Sequence, residues 1–302
     1  MAKSSVMIQI THVLCPVDFS EFSRRAVDHA AAVARWYRAK LTVLHVFPNL
    51  PVLDLPPVVM GAEERERIAA ALRRFTSHVP ADVPLEFHIE EASDIHRAIL
   101  GQAEARAADL LVIGSHGRWG FERLLLGSVT EKVIRKAPCP TMVVPRHAPD
   151  ASPDEPVQFR RVLCPVDFSD ASIRAAEYAL AVAEEADAQL TLLHVIEIPL
   201  GLREYAPGAE ISLDSIRDAR EADCRRRLGQ LIPEQARAYC TVEIAIREGG
   251  VHREILKVAG ERHADLIVMG VQGRSAIDRI TFGSNTARVT RGATCPVLIV
   301  RG

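Results

Sequence analysis

Short apolar runs alternate with amphipathic stretches along this chain. Residues 11–17, THVLCPV, are a strand-like run, and Ser20 follows as a helix cap with Glu21 in the first turn. Phe22, Ala26, Ala30, Val33, Ala34 and Tyr37 then recur at helical spacing. Residues 41–47 read as a second strand. Residues 48–60 hold four prolines and read as irregular. The pattern continues as a helix over 62–79 with a charged, solvated face, a strand over 85–89 and a helix over 94–107. A strand over 109–114, a helix over 129–136 and a strand over 141–145 complete it. Such alternation predicts an α/β fold: a parallel sheet with right-handed crossovers and helices on both faces. Residues 110–113 and 266–269 are apolar without alternation, as central strands buried on both faces should be.

The whole pattern occurs twice. VLCPVDFS stands at 13–20 and unchanged at 162–169, an offset of 164 − 15 = 149. LTVLHV at 41–46 matches LTLLHV at 190–195 at the same offset. ADLLVIG at 108–114 matches ADLIVMG at 264–270 at an offset of 156, as do APCPTMVV at 137–144 and ATCPVLIV at 293–300. The second copy therefore carries a net insertion of 156 − 149 = 7 residues after its second strand. Each copy is long enough for a core of its own, so the expectation is two tandem domains, 1–147 and 159–302. Residues 148–158, rich in Pro, Asp and Ala, read as the linker.

Composition narrows the partners. A formal net charge of −2 on 302 residues gives no reason to expect nucleic acid or an anionic membrane. No apolar run approaches the ~20 residues of a bilayer span. The stretch MAKSSVMIQI lacks an h-region and a cleavage site, which makes the cytoplasm the expected location. Six cysteines without a CxxC pair read as reduced apolar fillers. His45 and His194 sit mid-strand and read as satisfied core histidines. His96 and His252 lack a partner four residues on, so no metal site is expected.

Chemistry is expected at the carboxyl ends of the strands. Asp18 and Asp167 follow the first strand of each copy. The loop after the fourth strand reads GSHGRWGFERLLLGS at 114–128 and GVQGRSAIDRITFGS at 270–284, both G-x2-G-x9-G-S. A glycine at the strand end permits a positive φ. The next glycine lets backbone N–H groups approach an anion. The final Gly-Ser opens a helix whose free N–H groups attract negative charge. Arg118 and Arg274 follow the second glycine and add positive potential. S-V-T-E at 128–131 reads as a capping box, whereas S-N-T-A leaves Ser284 capping alone.

With P-V-D-F-S after the first strand, these loops resemble those of the universal stress protein family, in its ATP-binding branch, over essentially the whole chain. The resemblance implies two Rossmann-like domains, of the adenine nucleotide alpha hydrolase-like type, each a five-stranded parallel sheet with helices on both faces. It implies that Asp18 and Asp167 contact a ribose. Pro16, Val17, Val46, Pro165, Val166 and Val195 would border the adenine, and Ile113 and Met269 the ribose or adenine side. Gly114, Gly117, Gly127, Ser128 and Val129, and in the second copy Gly270, Gly273, Gly283, Ser284 and Asn285, would hold the phosphates. The implied ligand is ATP, with ADP or AMP as alternatives, carried with Mg2+. The final strands of the two copies would pair within one chain as a pseudo-dimer, and a further homodimer is compatible with this. Asn285 replaces the usual apolar residue, Gln272 stands where the first copy has His116, and the seven extra residues fall in a lid region, so the second copy is expected to bind differently.

Two other readings stand beside a regulatory ATP-binding module. One is a slow ATPase or phosphotransferase, which needs a positioned base. Glu122 and Asp278 precede Arg123 and Arg279 in no known catalytic spacing, so no catalytic residue is assigned. The other is a scaffold with vestigial nucleotide sites.

Overall fold

The computed structural model describes residues 8–49, 60–117, 126–148, 159–197, 213–234, 236–271 and 283–301. The chain divides into two compact units, one of residues 9–158 with 290–299, the other built on residues 159–289.

The first unit contains β1 (His12–Val17), α1 (Glu21–Tyr37), β2 (Lys40–Pro48), α2 (Ala62–Phe75), β3 (Leu85–Ala92), α3 (Ile95–Ala105), β4 (Leu110–Gly114), α4 (Ser128–Lys136) and β5 (Thr141–Val144). Its strands lie in the order β3-β2-β1-β4-β5, all parallel. The order reverses between β1 and β4, which opens a crevice at their carboxyl ends. The second unit repeats the plan with β6 (Arg161–Pro165), α5 (Asp170–Ala186), β7 (Gln189–Ile196), α6 (Leu213–Gln230), α7 (Ala236–Tyr239), β8 (Thr241–Glu248), α8 (Val251–Glu261), β9 (Leu266–Gly270) and α9 (Ser284–Gly292). Its parallel order is β9-β6-β7-β8. The last strand, β10 (Val297–Val300), runs antiparallel to β5 with Val297 opposite Val143, and 290–299 cluster with the first unit.

Local chemistry explains the elements. Ser20 and Ser169 are the N-caps of α1 and α5, accepting from the backbone N–H of Ser23 and Ser172. β1 is buried throughout, and β4 and β9 are buried at every position. The Asp of each A-D-L repeat ties the start of β4 or β9 to the neighbouring strand. Asp109 accepts from the backbone of Thr11 and His12, and Asp265 from that of Arg160 and Arg161. Burial pushes the Asp265 carboxyl above its ordinary value. β3 runs to Ala92, beyond the expected strand end, and stays half-buried for most of its length, as an edge strand should. The expected helix over 62–79 ends at Phe75, where the Thr76 hydroxyl turns back to the Leu72 carbonyl. The charges of α2 do form a solvated face, with Arg67 between Glu63 and Glu64 and Arg73 on Glu66. Among the described residues no helix is long and apolar enough to cross a membrane.

Candidate functional site

In each copy the chain leaves the first strand through Asp-Phe-Ser, and the two turns are built alike. Oδ1 of Asp18 accepts from the backbone N–H of Ser20 at 3.0 Å and from its hydroxyl at 2.5 Å. Asp167 does the same to Ser169 at 3.1 and 2.6 Å. The aspartate thus prepares the helix cap, as an Asp two residues before a Ser often does. The residue between them adopts the left-handed conformation, with φ 64° at Phe19 and 61° at Phe168. That conformation is uncommon for an aromatic residue. Each phenyl ring is held against a histidine of the next strand, with centroids 4.7 Å apart for Phe19–His45 and 4.8 Å for Phe168–His194. The histidine Nδ1 donates to the carbonyl at the end of the first strand, Val17 at 2.9 Å and Val166 at 2.7 Å. A carbonyl only accepts, so Nδ1 carries the hydrogen in both rings. His45 and His194 are therefore anchors of the turn.

The glycine loop closes on this turn. A Cβ built on Gly117 would lie 2.8 Å from Oδ2 of Asp18, so the loop backbone passes directly over the carboxylate. A Cβ on Gly114 would meet the Phe22 carbonyl at 2.9 Å, and one on Gly270 the Ala171 carbonyl carbon at 2.7 Å. Positive φ was the expected reason for the strand-end glycines. Gly114, Gly117 and Gly270 do not have it; backbone of α1 approaches too closely for a side chain at Gly114 and that of α5 at Gly270, and the Asp18 carboxylate fills that space at Gly117.

The helix start also differs from expectation. Gly127 occupies the N-cap position of α4 without a side-chain cap, and Ser128 is the first helical residue. The capping box at 128–131 therefore does not form, and Glu131 pairs with Arg135 at 2.7 Å instead. α9 likewise starts at Ser284, with the Gly283 carbonyl accepting from the backbone N–H of Ala287. Neither serine caps its helix, because a glycine can bring its backbone closer to the strand end: Gly127 N–H donates to the Ser115 carbonyl at 2.9 Å. A threonine does the anchoring. Thr130 Oγ1 donates to the Gly114 carbonyl at 2.9 Å, and Thr286 Oγ1 to the Gly270 carbonyl at 3.0 Å.

In the second copy these parts enclose a cavity of about 240 Å³. Pro165, Val166, Asp167, Val195, Met269, Gly270, Gly283, Ser284 and Asn285 all line it. Gly273 and Arg274 lie outside the described residues. The pattern-based reading missed Glu197, Arg220 of α6, Val251 and Ile255 of α8, and Thr286. Val251 and Ile255 of α8 stand four apart, an apolar helical spacing visible in the sequence, but nothing marked Arg220 among the many charges of α6. In the first copy Pro16, Val17, Asp18, Ile113, Gly114 and Gly117 stand at the ends of β1 and β4, and Gly127, Ser128 and Val129 open α4. Val46, near the end of β2, is buried, whereas its counterpart Val195 is half-open to the cavity. Arg118, Glu122 and Asp278 lie outside the described residues.

A larger, more open cavity of about 740 Å³ lies beside α3 and the end of β3. It contains none of the expected residues. Its carboxylates are engaged within the chain: Glu90 with His88 and Gln102, Glu91 with Arg65 and the Met60 N–H, and Asp94 with Arg97 and His96. The smaller cavity is the one lined by the expected residues.

The sequence profile of the universal stress protein family matches residues 9–145 and again 158–301. The chain belongs to the universal stress protein family. Its relatives there include a universal stress protein of Mycobacterium tuberculosis, 28% identical over 303 residues and covering 96% of each chain. A single-domain member, the universal stress protein YxiE of Bacillus subtilis, is 31% identical over 147 residues, 47% of this chain and 99% of that one. A solved universal stress protein from Archaeoglobus fulgidus superposes with a TM-score of 0.65 at 22% identity, covering 98% of this chain and 97% of that one. That likeness shows the tandem Rossmann-like fold of the family.

Proposed function

We propose that this chain is an adenine-nucleotide-binding regulatory module of the universal stress family. The cavity of the second copy carries this reading, because its lining divides as a nucleotide does. Val166, Val195, Met269 and Ile255 offer apolar surface for a base. Asp167 offers a carboxylate for ribose hydroxyls. Gly283, Ser284 and Asn285 present the start of α9, whose N–H groups and dipole suit phosphates. The shared Asp-Phe-Ser turn and glycine loop extend the proposal to the first copy, with Asp18 and Gly117 in contact distance. ATP is the proposed ligand, with Mg2+ arriving on its phosphates. The proposed role is binding and signalling of nucleotide state.

The test is a melting curve with and without Mg-ATP for the wild-type chain, Asp167→Asn and Asp167→Ala. Ligand at ~100 times its Kd should stabilise the fold by about 2.7 kcal/mol per site. Asp167→Asn keeps the oxygen that holds Ser169 and should leave the ligand-free melting temperature nearly unchanged while reducing the nucleotide shift. Absence of any nucleotide shift in the wild type would favour the scaffold reading.

A further inference from the structure

α2 and α6 carry equivalent inner faces at an offset of 152. Leu72 and Cys224 are both buried (224 − 72 = 152). Phe75 packs edge-on against Phe19, with centroids 5.5 Å apart, and Arg227 stacks over Phe168 at 3.8 Å (227 − 75 = 152). The same offset sets Ile68 of the first copy against Arg220 of the second (220 − 68 = 152). Ile68 is buried, whereas Arg220 is exposed at the cavity it lines.

Arg220 differs from its neighbours. Arg217 pairs with Glu248, Arg225 with Glu221 and Arg226 with Asp223, while Arg220 forms no ion pair among the described residues. Among the described lining residues it is the sole cation of a cavity that the carboxylates Asp167 and Glu197 also line. Asp167 already holds Ser169 through Oδ1. A highly charged anion entering this cavity therefore depends on the helix start and on Arg220 to offset two carboxylates. A guanidinium suits that role, because its fork of donors matches phosphate oxygens. Arg118 and Arg274 stand at equivalent positions in the two loops, so they do not distinguish the copies.

We infer that Arg220 is a specificity-determining residue that makes the second site favour adenine nucleotides with more phosphates, a preference the first site lacks because Ile68 stands there. This rests on the nucleotide reading proposed above.

The experiment uses the full chain carrying Gly117→Val, which forces the first-copy loop off Asp18 and leaves the second site to be read alone. Calorimetric titrations with Mg-ATP, ADP and AMP compare this background with Arg220→Gln and Arg220→Lys added. The expected result is a preference for ATP over AMP of about tenfold or more. Arg220→Gln should lose most of that preference by weakening ATP more than AMP, and Arg220→Lys should restore part of it. Circular dichroism confirms that each variant folds, as expected for an exposed helix position. Nucleotide binding with the same ATP-to-AMP ratio in Arg220→Gln would overturn this inference and leave the nucleotide reading intact. No nucleotide binding by the wild-type chain would overturn both, whereas binding by the wild type with none in this background would overturn this inference alone.

Discussion

Thr286 Oγ1 donates to the carbonyl of Gly270 across 3.0 Å, and so pins the start of α9 to the end of β9 at the rim of the second cavity. Thr130 and Gly114 repeat the bond at 2.9 Å. Both hydroxyls are buried, so the bond has no water to replace it. Thr286→Val keeps the shape but strands the Gly270 carbonyl. The expected cost is about 1–3 kcal/mol of stability, read by urea denaturation, together with weaker nucleotide binding as the helix start drifts from the strand. Thr286→Ser should retain most of both.

The two strand-loop glycines should fail differently. At Gly270 the obstacle is backbone of Ala171 and Ser172, which has nowhere to go. Gly270→Ala should therefore destabilise the fold by about 1–3 kcal/mol. At Gly117 the obstacle is a carboxylate oxygen of Asp18, the end of a side chain. Gly117→Ala should leave the denaturation midpoint closer to wild type while displacing Asp18, and its loss should appear in nucleotide titration of the first site. Equal stability losses in the two variants would contradict this assignment.

All six cysteines are buried thiols outside any disulfide. Burial pushes the Cys139 thiol up to about 12 and that of Cys240 up to about 11, and it raises Cys15 and Cys164 as well. A raised thiol value keeps the unreactive protonated form, so the sign is towards protection up to high pH. A thiol reagent at pH 8 should modify the native chain only as fast as it opens and should reach six equivalents in denaturant. Rapid modification of Cys15 or Cys164 in the native state would contradict the buried-strand assignment.

Much of this was legible in the sequence because it rests on local signals. VLCPVDFS, twice, gave a buried strand, an aspartate and a serine cap, and Ser20 and Ser169 do cap their helices. The glycine spacing marked the loop that meets Asp18. What the sequence hid depends on tertiary approach. No local rule puts Phe19 and Phe168 in the left-handed region, since the histidine that steadies each ring lies on another strand. Ser128 looked like a cap until Gly127 took the position by nearing Ser115. Arg220 looked like one more surface charge until α6 was laid beside the cavity. The seven extra residues proved to be distributed: the offset is 149 at β7, 152 along α6 and 156 at α8, so only 152 − 149 = 3 precede the inner face of α6. Residues 198–212, in the region after Val195 expected to form part of a lid, lie outside the described residues.

The central claim is that the cavity between β6, β7, β9 and α9 is a nucleotide site. Calorimetric titration of the full chain with Mg-ATP, repeated with Asp167→Ala, tests it most directly. The account predicts saturable binding to the wild type and loss of one site in the variant. Binding that is absent in the wild type, or unchanged in number and affinity by Asp167→Ala, would contradict it.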